Sequence, residues 1–448
     1  MEGIINGNPT KGFFIEMLTR DISIKDAIID LLDNSIDGAS NIDKNDYSNL
    51  YINLTINKNE FIVEDNCGGF SLEVAQKYAF RFGRPEEAPA TTGTVGRFGV
   101  GMKRALFKMG KAFEVESKTD LDHFQVDVDV ANWKNKQAVH LNELHEEIRT
   151  DDWNFNYTDI TPDSSNLDNN GTYIKLSNLY EEVANLFDDE SFLNDLENDI
   201  ERILNFSLEK GIIITLNGKN LSKKGIYLLF SDKVKPYHFS GEENGVKYKV
   251  IAGLSYTGKP SVSGWYIYCN DRLVVESDTS DLTGWGVRSN VQFHPDYAMF
   301  RGVLFLDSED TFKLPLTTTK KGIDATASIY KIARGKMEEG MNYVLSFLKQ
   351  VRKLDDPDDY RTSLDENEER KNVVELKDTD FSIYESRRFY TPVLDSDQIK
   401  TKKDSVRIAF NVGINIANKA KLHSGSKNYK DLGLTVFDYY LKMEELNE

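Results

Sequence analysis

Residues 21–40 read DISIKDAIIDLLDNSIDGAS. Ile24, Ala27, Ile28, Leu31, Leu32 and Ser35 recur at helical spacing, which predicts an amphipathic helix with one face turned inward. Asp30, Asn34 and Asp37 fall at i, i+4 and i+7, so they share a second, polar stripe of the same helix. Asp21 or Ser23 suits the N-cap, and Gly38 is the expected end. A side-chain amide one turn from a carboxylate can ligate Mg2+, while the carboxylate orients or deprotonates a water. Taken alone, such a stripe is more often the solvated face of the helix.

Working outward, 50–56 (LYINLTI) and 60–64 (EFIVE) read as a β-hairpin around the NKN turn at 57–59. Asp65-Asn66-Cys67-Gly68-Gly69 follows at once. A carboxylate leaving a strand into a tight glycine turn that ends at Gly69 is well placed to accept from an amino group on a base edge. Helix signals cover 71–80. The run Gly93-Thr94-Val95-Gly96-Arg97-Phe98-Gly99-Val100-Gly101 then enters a second helix at 102–109, with Lys103 in its first turn. Backbone N–H groups of such a loop and a helix N-terminus suit phosphate oxygens, with Lys103 adding charge. Each signal is weak alone; their order and spacing make the set specific.

Strands are expected near 112–117, 123–130 and 171–177, a helix at 191–208, and a strand at 211–216 turning at Asn217-Gly218. This order predicts an α+β sandwich, one helical layer on a mostly antiparallel sheet. β-rich segments at 226–230, 246–255, 262–276 and 302–306, followed by helices at 325–353, read as a second α/β domain. Residues 355–372 (DDPDDYRTSLDENEERKN) have the composition of an acidic linker. The expected domains are therefore 1–222, 223–354 and a small C-terminal module at 373–448, with a strand at 405–412 and a helix at 435–445.

The chain has 448 residues, with 55 Lys+Arg against 73 Asp+Glu, a formal net charge of −18. Its length supports two or three domains, and 40% hydrophobic with 29% charged residues is a globular composition. No apolar run reaches the roughly 18 residues of a membrane span, and the first residues lack a signal-peptide layout, so the expected compartment is the cytoplasm. Two cysteines, Cys67 and Cys269, leave no disulfide framework or CxxC zinc site. Leu141–Lys210 holds 18 acidic and 4 basic residues, a net −14, whereas Phe381–Lys430 holds 10 basic and 4 acidic, a net +6. The total excludes a uniformly basic nucleic-acid binder, but the region 381–430 keeps DNA or an acidic partner in view.

With these motifs in order, the sequence resembles the GHKL ATPase superfamily, the group of gyrase B, ninety-kilodalton heat-shock chaperones, histidine kinases and MutL. DLLDNSIDGA is similar to its first motif, EDNCGGF to its second, GRFGVGMK to its glycine-rich lid motif, and GTYIKL at 171–176 to the following strand. VGRFGVGMKRALFKMG, with Arg81-Phe82-Gly83 before it, is most similar to MORC-type ATPases and their bacterial relatives. The resemblance covers about 13–220, and extends more loosely over 226–345 as a transducer-like (ribosomal S5-like) domain.

That resemblance implies ATP and Mg2+ as ligands. Asn34 would bind Mg2+ with Asp37 nearby, Asp65 would hold the adenine amino group with Thr172 in support, and Gly96, Arg97, Phe98, Gly99, Val100, Gly101 and Lys103 would wrap the phosphates. Lys320, in Thr317-Thr318-Thr319-Lys320-Lys321, would reach the γ-phosphate; the alternative is a surface turn with two solvated lysines. Asp30 stands where hydrolytic members usually carry glutamate. One methylene shorter, it is either a working base or a sign of very slow hydrolysis. Cys67 replaces a usual glycine and is expected only to rearrange the turn. The resemblance further implies a homodimer on ATP binding with residues 1–20 exchanged, and an ATP-gated clamp acting on DNA or in defence against foreign DNA. A chaperone or adaptor with a protein partner, or a non-hydrolysing ATP sensor, is the alternative. His145-Glu146-Glu147-Ile148-Arg149-Thr150 is similar to a phosphoacceptor box but follows the nucleotide motifs, and reads as an acidic helix end.

Overall fold

Two helices lead the chain. α1 (Lys11–Arg20) is anchored by Lys11, whose buried ammonium donates to the carbonyls of Trp133 (2.5 Å) and Lys136 (2.9 Å). α2 (Ile24–Ile42) begins at Ser23, whose hydroxyl accepts from the Asp26 N–H. Its Ile24, Ala27, Ile28, Leu31 and Leu32 stripe is buried, as the spacing predicts. The helix does not stop at Gly38 but runs on to Ile42. Gly38 has a different purpose: a Cβ there would lie 2.5 Å from the Cys67 carbonyl oxygen, so its bare backbone lets the Cys67 turn press against α2.

The computed structural model describes residues 7, 9–83, 101–141, 147–256, 258–317, 320–354, 357–381, 389–392, 394 and 411–444. They divide into two compact units, 1–395 and 396–448.

In the first unit, β1 (Tyr51–Asn57) and β2 (Glu60–Asp65) form the expected hairpin, with the Asn57 side chain accepting from the N–H groups of Asn59 and Glu60. α3 (Leu72–Val74) passes into a π-helical turn, Ala75–Ala79. α4 (Gly101–Met109), β3 (Gly110–Lys118), β4 (His123–Asp129), α5 (Val130–Asn135), β5 (Gln137–Leu141), β6 (Glu147–Asp151), β7 (Thr158–Asp159) and β8 (Gly171–Leu179) follow. The expected helix end at 145–150 is corrected: from Glu147 the chain is strand, paired with β5. α6 (Glu181–Phe187), α7 (Glu190–Ile203), α8 (Asn205–Glu209), β9 (Ile213–Leu216) and β10 (Lys219–Asn220) complete this half. Eight of these ten strands form one sheet in the order β10-β9-β1-β2-β8-β3-β4-β7, antiparallel except for β1 with β9, while β5 and β6 pair separately. Alternate residues of β1 (Ile52, Leu54, Ile56) meet Leu31 and Leu32 of α2, Leu106 of α4 and Leu196 and Ile200 of α7 in one core.

β11 (Tyr227–Leu229) leads to a five-stranded sheet of β12 (Tyr237–Glu243), β13 (Val246–Leu254), β14 (Gly264–Cys269), β15 (Arg272–Asp278) and β16 (Phe300–Asp307), in the order β12-β13-β16-β14-β15. The segment 262–276, read as one β-rich stretch, is a hairpin of β14 and β15. α9 (Ser328–Val351) covers one face through Met337, Met341 and Val344. Gly340 makes that contact close, since a Cβ there would lie 2.4 Å from the Tyr237 ring. On the other face Tyr268 and Phe305 pack at steep angles against the ring of Phe206 of α8, so the two halves of this unit share a core.

The expected linker at 355–372 is corrected. α10 (Pro357–Asn367) occupies it, and β17 (Arg370–Asn372) pairs antiparallel with β11. α11 (Val373–Asp378) buries Val373 and Leu376 against Phe206 and Phe305, so the compact first unit reaches past 373. A charged composition hid these few apolar anchors. In the second unit α12 (Ile414–Ser424) and α13 (Tyr429–Met443) form a helical hairpin turning at Gly425 (φ 70°). Most of the strand expected at 405–412 lies outside the described residues; the helix expected at 435–445 starts earlier, at Tyr429. Among the described residues no helix is long and apolar enough to cross a membrane.

Candidate functional site

The end of β2 carries the first element of the site. Asp65 is buried; its Oδ2 accepts from the Ser35 hydroxyl on α2 at 2.6 Å, and its Oδ1 accepts from the N–H groups of Cys67 (2.9 Å) and Thr172 (3.2 Å). Burial raises the carboxyl above its ordinary value, against the pull of these three donors. Gly69 (φ 63°) turns the chain where a Cβ would lie 2.4 Å from the Lys118 carbonyl oxygen. Gly171 allows a still closer approach, its missing Cβ falling 1.9 Å from the Asp65 carbonyl oxygen. Cys67 is buried beneath Gly38, and burial pushes its thiol up, so it offers no reactive thiolate.

One helical stripe away, Asp30 is buried and faces Lys320. The Lys320 ammonium lies 3.1 Å from Asp30 Oδ1 and 2.8 Å from Asp33 Oδ2. Arg272 Nε donates to Asp33 Oδ1 at 3.0 Å, and its Nη1 donates to the Lys320 carbonyl at 2.7 Å. Burial pushes the Asp33 carboxyl upward, but Arg272 and Lys320 outweigh it and hold it below the ordinary carboxylate value. Burial likewise lowers Lys320, yet Asp33 and Asp30 more than reverse it, keeping the ammonium charged. Lys321, by contrast, is exposed and pairs with Asp26.

α4 brings the third element. Gly101 begins it where a Cβ would lie 3.4 Å from Asp30 Oδ2, so the helix starts directly over that carboxylate. Lys103 is buried in the first turn and donates to the Ala79 carbonyl at 2.5 Å, at the end of the π-helical turn. Burial lowers its pKa to about 7. Asn34 is exposed one turn beyond Asp30. Asp37 lines a cleft of about 760 Å³ with Asp33 and Asp271, on the side of α2 that faces the hairpin of β14 and β15. Gly96, Arg97, Phe98, Gly99 and Val100 lie outside the described residues.

Residues 22–165 match the family model described as Histidine kinase-, DNA gyrase B-, and HSP90-like ATPase. This segment has the signature of a GHKL-type ATPase domain. It contains Asp30, Asn34, Asp65 and Lys103 and ends before Thr172, Arg272 and Lys320. Comparison with curated proteins finds no match. Domains of this kind generally bind ATP with Mg2+, and the residues fit such a ligand. Lys103 is a buried amine whose ammonium form an anion would favour, Gly101 leaves Asp30 open to close approach, and Asn34 offers an exposed amide oxygen one turn from a carboxylate. Among the described residues there is no cluster of three or more His, Cys, Asp or Glu side chains that would point to a different metal centre.

Three of these participants escaped the sequence reading. Asp33 lies in the first motif itself, beside Asn34, and its place at i+3 from Asp30 was the available signal. Ser35 was counted only with the buried stripe. Arg272 gave no signal, because the hairpin that presents it lies within what the sequence shows only as one β-rich stretch.

Proposed function

We propose that this protein is an Mg2+-dependent, ATP-binding and ATP-hydrolysing conformational switch. The observation that carries this reading is Lys320 meeting Asp30: a lysine that follows the five-stranded sheet stands 3.1 Å from the carboxylate best placed to handle a water at the nucleotide. Asp65 receives the adenine amino group, Thr172 steadies Asp65 through its N–H, and Lys103 with Gly101 attends the phosphates. Asn34 would hold the Mg2+, whose charge would offset that of the phosphates. Asp30 orients the attacking water and takes its proton. Lys320 reads the terminal phosphate, so hydrolysis removes the group that keeps the two halves of the first unit engaged. The test is nucleotide binding and phosphate release by the full chain and by Asp65→Asn; an Asp65→Asn protein that binds ATP as tightly as the parent removes this assignment.

The switch acts, in our reading, as a MORC-like dimeric clamp on DNA. α12, the turn after it and the first residues of α13 carry Lys419, Lys421, His423, Lys427 and Lys430, with no acidic residue between Ile414 and Lys430, which supports phosphate contact. Salt-dependent DNA binding lost on deleting 396–448 is the expected result, and absence of binding at low salt sinks it. A chaperone-like role is favoured by a different observation: Leu422, Leu434, Phe437 and Tyr439 of the same hairpin are exposed. A stoichiometric protein partner retained through purification, with no DNA binding, decides for that role.

A further inference from the structure

Arg272 starts β15 directly after a two-residue turn, Asn270 (φ 45°) and Asp271 (φ 65°), both left-handed as a tight hairpin demands and as Asn and Asp tolerate. The tip of this hairpin is fastened on three sides. The Asn270 amide donates to the Ser308 carbonyl (3.0 Å) and accepts from the Ser308 N–H (2.9 Å). Asp271 is held between Lys210, at 2.8 Å, and Lys377, at 2.5 Å. Arg272 therefore reaches α2 from a fixed base, and its guanidinium spends one arm on Asp33 and another on the Lys320 carbonyl. Lys320 itself has φ 55°, a conformation that costs a non-glycine residue free energy and persists only where its surroundings impose it.

Charge counting gives these bonds a purpose. Two carboxylates, Asp30 and Asp33, face two cations, Lys320 and Arg272. With Arg272 on one oxygen of Asp33, the Lys320 ammonium is shared between Asp33 and Asp30 and needs to give up only part of its bonding to meet a phosphate. Without Arg272, a buried Asp33 carboxylate would have Lys320 as its one remaining cation here and would draw it away from Asp30. The loop carrying Lys320 would also lose the bond that fixes its backbone.

We propose that Arg272 is a positioning residue that keeps the Lys320 ammonium available to the terminal phosphate of a nucleoside triphosphate, and so sets the preference for triphosphate over diphosphate. This rests on the ATP-switch reading above and extends it to a residue beyond the segment that matches the ATPase family.

The experiment measures, for the full chain with Mg2+, the affinities for ADP and for a non-hydrolysable ATP analogue, and takes the ratio of the analogue affinity to the ADP affinity. Lys320→Ala sets the ratio expected when the phosphate contact is gone. Arg272→Ala is expected to lower the ratio at least fivefold while ADP affinity stays within about twofold, and the double variant to match Lys320→Ala alone. Should Arg272→Ala fail to fold, Arg272→Lys keeps a cation beside Asp33 but lacks the second arm, and the ratio falls there too. A ratio as high as the parent's in the folded variant, or equal weakening of both nucleotides, overturns the assignment and leaves Arg272 a structural residue. A parent chain that binds neither nucleotide, or a Lys320→Ala ratio equal to the parent's, overturns the switch reading itself and the role of Arg272 with it.

Discussion

Lys320 crosses 287 positions of sequence to place its ammonium 2.8 Å from Asp33, and the same ammonium lies 3.1 Å from Asp30. Asp30 is thereby neutralised at rest by the residue proposed to sense the nucleotide. A shorter carboxylate than the usual glutamate can still serve if the reacting groups come closer to it, which the bare Gly101 backbone beside Asp30 permits.

Asp30→Asn keeps the shape and removes the base. Phosphate release under single-turnover conditions is expected to fall about 100-fold or more, the usual scale for losing a positioned general base. Binding of a non-hydrolysable analogue should change by less than about threefold. Equal turnover in the variant would mean that Asp30 is not the base and that the protein senses ATP through other groups.

Asp65 admits a sharper separation of binding from stability. Its Oδ1 accepts two backbone N–H groups and its Oδ2 accepts the Ser35 hydroxyl. In Asp65→Asn the amide oxygen can keep both backbone bonds, and the NH2 can donate to the Ser35 oxygen, so thermal stability should hold. An acceptor proposed to face a base amino group has nonetheless become a donor. ATP affinity is expected to fall at least tenfold, in line with about 1–3 kcal/mol for an unpaired buried polar group. Asp65→Ala should lose both affinity and stability, as seen by thermal denaturation.

How much of this was legible in the sequence follows the range of the interactions. The α2 stripe, the hairpin of β1 and β2 and the Asp65 turn are local patterns, and they make Asp30, Asn34 and Asp65 candidates. Gly38 was misread because its signal is the same for a helix end and for a close approach, and only the Cys67 carbonyl 2.5 Å from its missing Cβ distinguishes the two. The linker expected at 355–372 failed for a related reason: three residues of β17 pair with β11, which lies more than a hundred positions earlier. Arg272 could not be found, since its purpose is defined entirely by partners from α2 and from the Lys320 loop.

Lys103 gives the site a pH signature. Burial lowers its pKa from 10.5 to about 7, so at pH 8 the free protein holds it mostly neutral, whereas a bound polyphosphate favours the ammonium. Triphosphate binding at pH 8 should therefore take up close to one proton, measured by calorimetry in buffers of different ionisation enthalpy, and affinity should decline as pH rises above 7. For folding the sign is opposite. The unfolded chain binds the extra proton between pH 7 and 10.5, so this group's penalty is complete below pH 7 and disappears as pH rises through that window. Lys103→Met should abolish the proton uptake; uptake unchanged in that variant would place the titration elsewhere.

Two glycine-to-alanine changes should move stability in opposite directions. A Cβ on Gly171 would lie 1.9 Å from the Asp65 carbonyl oxygen, which belongs to the paired strand, so β2 and β8 must separate where Asp65 faces Thr172. The expected loss is about 3 kcal/mol, at the upper end for overpacking because backbone rather than a flexible side chain must yield. Nucleotide affinity should fall with it, since the same shift carries Asp65 and the Thr172 N–H apart. Gly335 lies within α9 with nothing within 4 Å of the added atom, and alanine there should stabilise by about 0.5–1 kcal/mol through helix propensity alone. Urea denaturation of both variants checks the pair. If Gly171→Ala matched the parent in midpoint and in ATP affinity, the close seating of Asp65 on β8 would not be what holds the adenine end of the site.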